Sequence, residues 1–356
     1  MHMQFSTPKF SIKDIGHPPT PHLKHPRLIL KRYNPPTFPQ SNIFQTGASL
    51  QNLSLGIIFM FCASFFFAIM NALVKILATH SISPVQNLFF RSFIMVIFMA
   101  GVIYCQRRPI VKQRGAWGRL LFRALIGGAS MLALFYNIAT IPLSVATTFA
   151  QSTPLYAIFF AAILLKEKIS LPALLATCIG FVGIVLVCEP FGESSLGVLN
   201  ICMGILSGAG AALALVTLRS LKAYFDNAFI ILFFGLSMSI VGGVILLLPS
   251  FFIDNTWHNP TPQVWLLILL MGGAGTIGQH FLTKAYMAAP AGIISPIDYV
   301  KILWGVLMGA YLGDALPTLS VWAGMGLIVL SGFLIALPVF FHDLKRIKER
   351  DASYAK

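Results

Sequence analysis

The chain has 356 residues, 57% of them hydrophobic and 10% charged, with a mean hydropathy of +0.81. Soluble domains carry about 25% charged residues, so a soluble globular protein is excluded, and so is a β-barrel, whose strands alternate over about ten residues. The net charge of +14 must be located along the chain before nucleic acid or anionic lipid is considered as its partner.

Residues 1–49 hold eight prolines, four histidines (His2, His17, His22, His25) and six lysines or arginines, against one acid, Asp14. With so little apolar material the segment reads as a disordered basic Pro/His-rich cytoplasmic tail. No apolar stretch follows the first basic residues, so it does not read as a signal peptide. The His-Pro cluster contains metal-ligand types, but the reading is a solvated tail; no metal and no cofactor is expected.

From Leu53 onward there are ten apolar runs, at roughly 53–78, 84–105, 119–140, 142–165, 171–188, 196–217, 228–249, 263–287, 290–312 and 319–341. Each is near the length of about 20 residues that spans a bilayer core. The connections are short and marked by proline or charge, as at Ser83-Pro84, Arg107-Arg108-Pro109, Ile141-Pro142, Glu189-Pro190 and Asn259-Pro260. The five cysteines (Cys62, Cys105, Cys178, Cys188, Cys202) fall in or at the ends of apolar runs without a CxxC pair, and read as small packing residues.

Two runs resemble each other. Pro142 to Lys168 begins with proline, carries Ser144, Thr147, Thr148, Ser152 and Thr153, and ends at Lys166-Glu167-Lys168. Pro290 to Asp314 repeats the plan, with Pro290 standing for Pro142 and Asp314 for Glu167. A separation of about 147 residues implies an internal duplication, the common plan of secondary transporters. The expected organisation is an all-α polytopic membrane protein: the tail, a first five-helix repeat at 50–190, a second at 191–341, and a basic cytoplasmic tail at 342–356.

Charge sets the expected orientation. With the first tail inside, alternation places 21 of the 25 lysines and arginines in inside segments and none in outside loops, which hold Glu189, Glu193, Asp254 and Asp314. Both termini are therefore expected in the cytoplasm, and the basic surplus belongs to the anionic inner leaflet rather than to nucleic acid. Five spans per repeat is odd, so the second repeat enters from the opposite side and is inverted, with the site expected between the two.

Ionisable residues inside spans are costly, and few occur. Lys75 lies near the outer end of span 1, where it can snorkel to the interface or face a substrate. Arg91 lies seven residues into span 2, about 10 Å deep, and its fork suits a carboxylate or phosphate; the alternative is a staple of helix ends. Asp298 and Lys301, spaced i, i+3 in span 9, can neutralise each other, or Asp298 can meet a substrate cation or take a proton. His280 in span 8 is either a proton relay or a packing histidine. Asn71, Asn137, Gln151, Gln279 and Tyr299 add neutral hydrogen-bonding groups, and Trp304 with Tyr156 could wall a planar ligand. The expected substrate-binding set is Lys75, Arg91, Asn71, Gln151, Tyr299 and Trp304; the expected coupling set is Asp298, Lys301 and His280.

No GxxxxGK[ST], HExxH or GxSxG occurs, so neither an ATP motor nor a catalytic site of those types is encoded, and the chain is not read as an enzyme. An inverted repeat also argues against a channel built from symmetric subunits.

Asn71-Ala-Leu-Val-Lys75, Pro84 with Phe89-Phe90-Arg91-Ser92, Pro142 to Glu167, Gly180-Phe-Val-Gly183 and Pro290 to Asp314 together resemble the EamA-type family of the drug/metabolite transporter superfamily. The Lys and Phe-Phe-Arg pattern is similar to S-adenosylmethionine uptake carriers. The resemblance covers roughly 53–340. It implies ten spans in the inner (plasma) membrane and exchange or cation-coupled transport of a small polar metabolite, amino-acid or nucleoside-like. Glu167 and Asp314 read as fold markers that cap helices or pair at the interface. The expected partners are a small-molecule substrate, H+ or Na+, the bilayer, and a second copy in a homodimer. A drug or vitamin exporter of the same fold, or a membrane sensor or scaffold that transports nothing, stays open as an alternative.

Overall fold

The computed structural model describes residues 50–106, 115–165, 171–188, 196–221, 224–249, 255–288 and 295–354. The two basic tails' outer residues, the loop arginines 107, 108 and 114, and Lys166, Glu167, Lys168, Glu189, Glu193, Lys222, Asp254 and Pro290 lie outside the described residues.

The described chain is helical and contains no strand. The helices are α1 (Leu50–Thr79), α2 (Pro84–Gln106), α3 (Trp117–Thr140), α4 (Leu143–Gln151), α5 (Thr153–Leu165), α6 (Leu171–Cys188), α7 (Val198–Leu221), α8 (Asn227–Leu246), α9 (Pro262–Ala288), α10 (Val300–Tyr311) and α11 (Leu319–Tyr354), with a 3-10 turn at Ser295–Tyr299 before α10. Among the described residues seven of these are long and apolar enough to cross a membrane: α1, α2, α3, α7, α8, α9 and α11.

The other three apolar runs form shorter helices, two of them for identifiable reasons. The fourth run is divided into α4 and α5 at Ser152. Pro154 has no N–H to give to Ala150, four residues back. The Ala150 carbonyl accepts instead from the Thr153 hydroxyl at 2.7 Å, and the Phe149 carbonyl from the Ser152 hydroxyl at 2.5 Å. The small hydroxyl residues noted in the sequence thus satisfy the carbonyls that the proline leaves. The ninth run starts as a 3-10 turn containing Pro296 and only then becomes α10. The fifth run is α6, an apolar helix of 18 residues. At the C-terminus, the stretch expected as a separate tail from 342 continues α11 as helix to Tyr354.

The helices pack in pairs distant in sequence: α1 on α9, α2 on α8, α3 on α7, α4 on α10 and α6 on α11. The α6–α11 approach is set by glycine. A Cβ on Gly183 would lie 2.8 Å from the Gly324 carbonyl oxygen, and one on Gly324 would lie 2.6 Å from that of Gly183. The two backbones are therefore in direct contact, as small residues permit in membrane helix packing. The Ser331 hydroxyl, donating to the Ala176 carbonyl at 2.6 Å, completes this seam.

Candidate functional site

Position 91 is the most completely enclosed charge of the described chain. Arg91 is 1% exposed. Its Nε donates to the Met70 sulfur on α1 at 3.1 Å, and its Nη1 to the Met131 sulfur on α3 at 2.8 Å. Thioethers are weak acceptors, and among the described residues no carboxylate lies within ion-pair distance of it. On the α9 side Gly275 makes the room: a Cβ there would sit 3.2 Å from Arg91 Nε and 2.8 Å from the Met70 sulfur. A buried guanidinium ordinarily has an anionic partner. Here four helices converge on one that has none.

Asn71 follows Met70, about a third of a turn round α1. Phe67, Asn71 and Lys75 form a stripe at i, i+4 and i+8. The Phe67 ring lies 4.8 Å from the Lys301 ammonium, and Lys75 pairs with Asp314 at 2.6 Å. Asn71 therefore faces the same seam, between α1 and the run formed by the 3-10 turn and α10. Its Oδ1 is buried without a hydrogen-bond partner, as is Trp304 Nε1 from the other side of that seam; Tyr299 Oη is also unpartnered, but it lies against Gly332 of α11. Leaving a buried polar atom unpaired costs about 1–3 kcal/mol, so two along one seam mark a place where further hydrogen bonds can be made. Trp304 is held edge-on by Phe61 at 5.8 Å and Phe65 at 5.2 Å, and Tyr299 stacks on Phe333 at 6.3 Å.

Gln151 stands at the end of α4, where the fourth run breaks. Its amide donates to the Asp298 carbonyl oxygen at 2.9 Å, 147 residues away. That separation equals the repeat spacing seen in the sequence, so the contact joins corresponding positions of the two related runs. The Asp298 carboxylate pairs with Lys301 at 2.6 Å on the same helical turn, with the side chains 21% and 16% exposed.

The expected residues thus divide into groups. Asn71, Trp304, Asp298, Lys301 and Gln151 lie along the seam between α1, α4 and the run formed by the 3-10 turn and α10, whereas Tyr299 of that turn sets its hydroxyl against Gly332 and its ring on Phe333, both of α11. Arg91, on α2, meets α1 at Met70, one residue's rotation from Asn71. Lys75 is engaged by Asp314. His280 is exposed on α9, and no hydrogen bond or ion pair among the described residues links it to Asp298. The reason is helical phase: Phe281 is the residue that α9 turns toward α1, stacking on Phe59 and Phe66 at 5.9 Å each, and His280 is displaced from it by about 100°. Tyr156 packs edge-on against Phe181 at 5.5 Å rather than opposite Trp304. Asn137 is tied to Asn200 on α7, its amide donating to the Asn200 carbonyl at 3.0 Å.

Sequence reasoning missed Arg123. It lies six residues into α3, its guanidinium 5.6 Å from the Phe234 ring centroid, with Nε buried and unpartnered. Its place inside an apolar run was the available signal. The methionine partners of Arg91 had none, since methionine in an apolar run is unremarkable.

Comparison with known proteins agrees with this architecture. Residues 54–188 match the EamA-like transporter family. An uncharacterized transporter of Helicobacter pylori is 44% identical over 82% of this chain and 98% of its own length. The pseudopaline exporter of Pseudomonas aeruginosa is 30% identical over 75% of this chain and 92% of its own length. A solved crystal structure superposes with a TM-score of 0.55, covering 82% of this chain and 97% of that one at 17% identity, a likeness of fold alone. Membrane-spanning helices of this arrangement, and relatives matched over nearly their whole length, mean that the chain belongs to the EamA-like transporter family of the drug/metabolite transporter superfamily.

Proposed function

We propose that this transporter is a secondary carrier for a small polar metabolite bearing a carboxylate, moved by alternating access across the cytoplasmic membrane. The observation that carries the reading is Arg91, fully buried, surrounded by four helices and paired with no acid among the described residues. A substrate carboxylate would replace the two thioethers as acceptor of its N–H fork. Asn71, Gln151 and Trp304 would orient the rest of the substrate, and Asp298 would take its cationic end or a coupling proton. An amino acid or a nucleoside-like amino acid such as S-adenosylmethionine meets this description. His280 is left out of the proton path, for want of a contact with Asp298. The pseudopaline exporter, at 30% identity, makes efflux the first direction to test.

The reading includes ten spans as two inverted repeats. Helix pairing supports it: exchanging each run for the run five places on converts the α1–α9 pair into the α7–α3 pair, and maps α2–α8, α4–α10 and α6–α11 onto themselves. Both runs four and nine are interrupted, as discontinuous helices at carrier sites are. Both termini are placed in the cytoplasm on the loop charges. Leu316, 70% exposed between α10 and α11, is then outside. Leu316→Cys should react with a membrane-impermeant thiol reagent applied to intact cells; protection there, with reaction in inverted vesicles, would reverse the orientation.

Counterflow in proteoliposomes tests the substrate class. A radiolabelled amino-acid or S-adenosylmethionine tracer should be displaced by carboxylates and not by the matching amides or methyl esters. Equal competition by the amides would remove Arg91 from the role given to it.

A further inference from the structure

We propose that Lys75, Asp314 and the Ile141–Leu143 break form a latch that closes one end of the carrier and opens during its cycle; this rests on the carrier reading above. Lys75 Nζ is 2.6 Å from Asp314 Oδ1 and donates to the Ile141 carbonyl at 3.0 Å. Asp314 Oδ2 accepts the Leu143 N–H at 2.8 Å. Three segments far apart in sequence thus meet: the end of α1, the α3–α4 junction and the end of α10.

Each bond has a local cause. Pro142, as N-cap of α4, has no side-chain oxygen to offer the first N–H groups of the helix. Asp314 supplies that cap from the other half of the chain, and its negative charge suits a helix N-terminus. Gly309 makes the approach possible, since a Cβ there would lie 3.0 Å from Asp314 Oδ2 and 3.4 Å from Leu143 Cβ. Gly313, at φ +88°, turns the chain back so that the Asp314 N–H reaches the Gly309 carbonyl at 2.9 Å.

Two considerations make this a latch and not a permanent staple. Apolar side chains hold packed helices together as well as a buried ion pair does, or better. A charged pair next to water is instead a contact that can part, since each ion regains hydration when that end opens. Its place is the second consideration. The stripe Phe67–Asn71–Lys75 runs from the pair directly to the seam where Asn71 and Trp304 have unpartnered atoms, so opening it would uncover that seam. Neutral ties between the halves surround it at the same end: Gln86 to the His258 carbonyl at 2.7 Å, Asn200 to the Thr140 hydroxyl at 2.6 Å and Ser320 to the Leu186 carbonyl at 3.1 Å.

Thr147 reports on the latch. It is buried, one turn beyond Leu143, and its hydroxyl donates to the Leu143 carbonyl at 2.9 Å. Thr147→Cys is placed in full-length protein whose five native cysteines are replaced by serine. Adding Asp314→Asn, or Lys75→Met, should raise the rate of labelling by an impermeant maleimide from the Asp314 face by about tenfold or more, because one partner of a partly buried ion pair is lost. An unchanged rate in folded, monodisperse protein overturns the proposal. Should those variants fail to fold, Lys75→Cys with Asp314→Cys is bridged by a short bifunctional methanethiosulfonate. Counterflow should vanish on bridging and return on reduction, and undiminished counterflow by the bridged protein overturns the latch. Failure of the carrier reading is distinguishable: the parent protein would then show no counterflow, while the labelling comparison still gives its answer.

Discussion

Arg91→Lys is expected to lower transport by roughly ten- to a hundredfold at unchanged protein abundance. The estimate is the loss of one charge-assisted hydrogen bond, about 1.5–3 kcal/mol, when a bidentate fork becomes a single ammonium. Arg91→Met should abolish transport and still fold. The second half of the chain supplies the reason. Met238 stands 147 residues after Arg91, and Gly128 stands 147 residues before Gly275. A Cβ on Gly128 would overlap the Met238 sulfur, as a Cβ on Gly275 would crowd Arg91 Nε. One glycine gap is filled by a methionine and its counterpart by an arginine, so the space at 91 does not demand a charge. Initial uptake rates with quantified membrane protein decide the matter. Wild-type transport by Arg91→Met would show that the guanidinium does not touch the substrate.

The second large effect is expected at Asp298. As the carboxylate of the 3-10 turn before α10, it pairs with Lys301, which also lies over the Phe67 ring. Asp298 is tied through its own carbonyl to Gln151 at the break in the other related run. A proton taken or released here would therefore act where the two interrupted helices meet. If Asp298 couples transport to a cation, Asp298→Asn loses accumulation against a gradient and keeps counterflow, because the amide resembles the protonated acid. If the pair serves structure alone, Asp298→Asn impairs both activities through the unpaired Lys301 charge, and Asp298→Asn with Lys301→Met restores them. Accumulation by the single variant equal to wild type would assign coupling elsewhere and make this protein a plain exchanger. Proteoliposomes with an imposed pH gradient, compared with the same vesicles in counterflow, separate these outcomes.

The candidate residues were legible as residue types. Arg91, Asn71, Asp298, Lys301, Tyr299 and Trp304 stand out because a polar or charged group inside an apolar run needs a reason. Their partners were not legible. Lys75 was read as snorkelling to the interface or facing a substrate, and the fold brings it to Asp314, 239 residues on. Asp314 itself was read as a cap or interface pair, and it is both. His280 was read as a proton relay or a packing histidine, and the rotation of α9 leaves it exposed. Arg123 went unnoticed beside Arg119 because the end of a span and the start of a loop look alike in a list of residues.

The sequence by itself determined the membrane class, the apolar runs, the places where they are interrupted and the related pair of runs. These are properties of neighbouring residues: hydropathy summed over a window, a proline that withholds an N–H, a hydroxyl that can replace it. Only the tertiary structure decided which polar group meets which. In water, an amphipathic pattern shows which face of a helix turns inward. Here lipid and protein interior are both apolar, so the runs are hydrophobic all round and carry little sign of their rotation. The contacts of Arg91 with Met70 and Met131, of Gln151 with Asp298 and of Lys75 with Asp314 follow from helix phase and from pairing across the bundle, which only close packing of the whole chain sets.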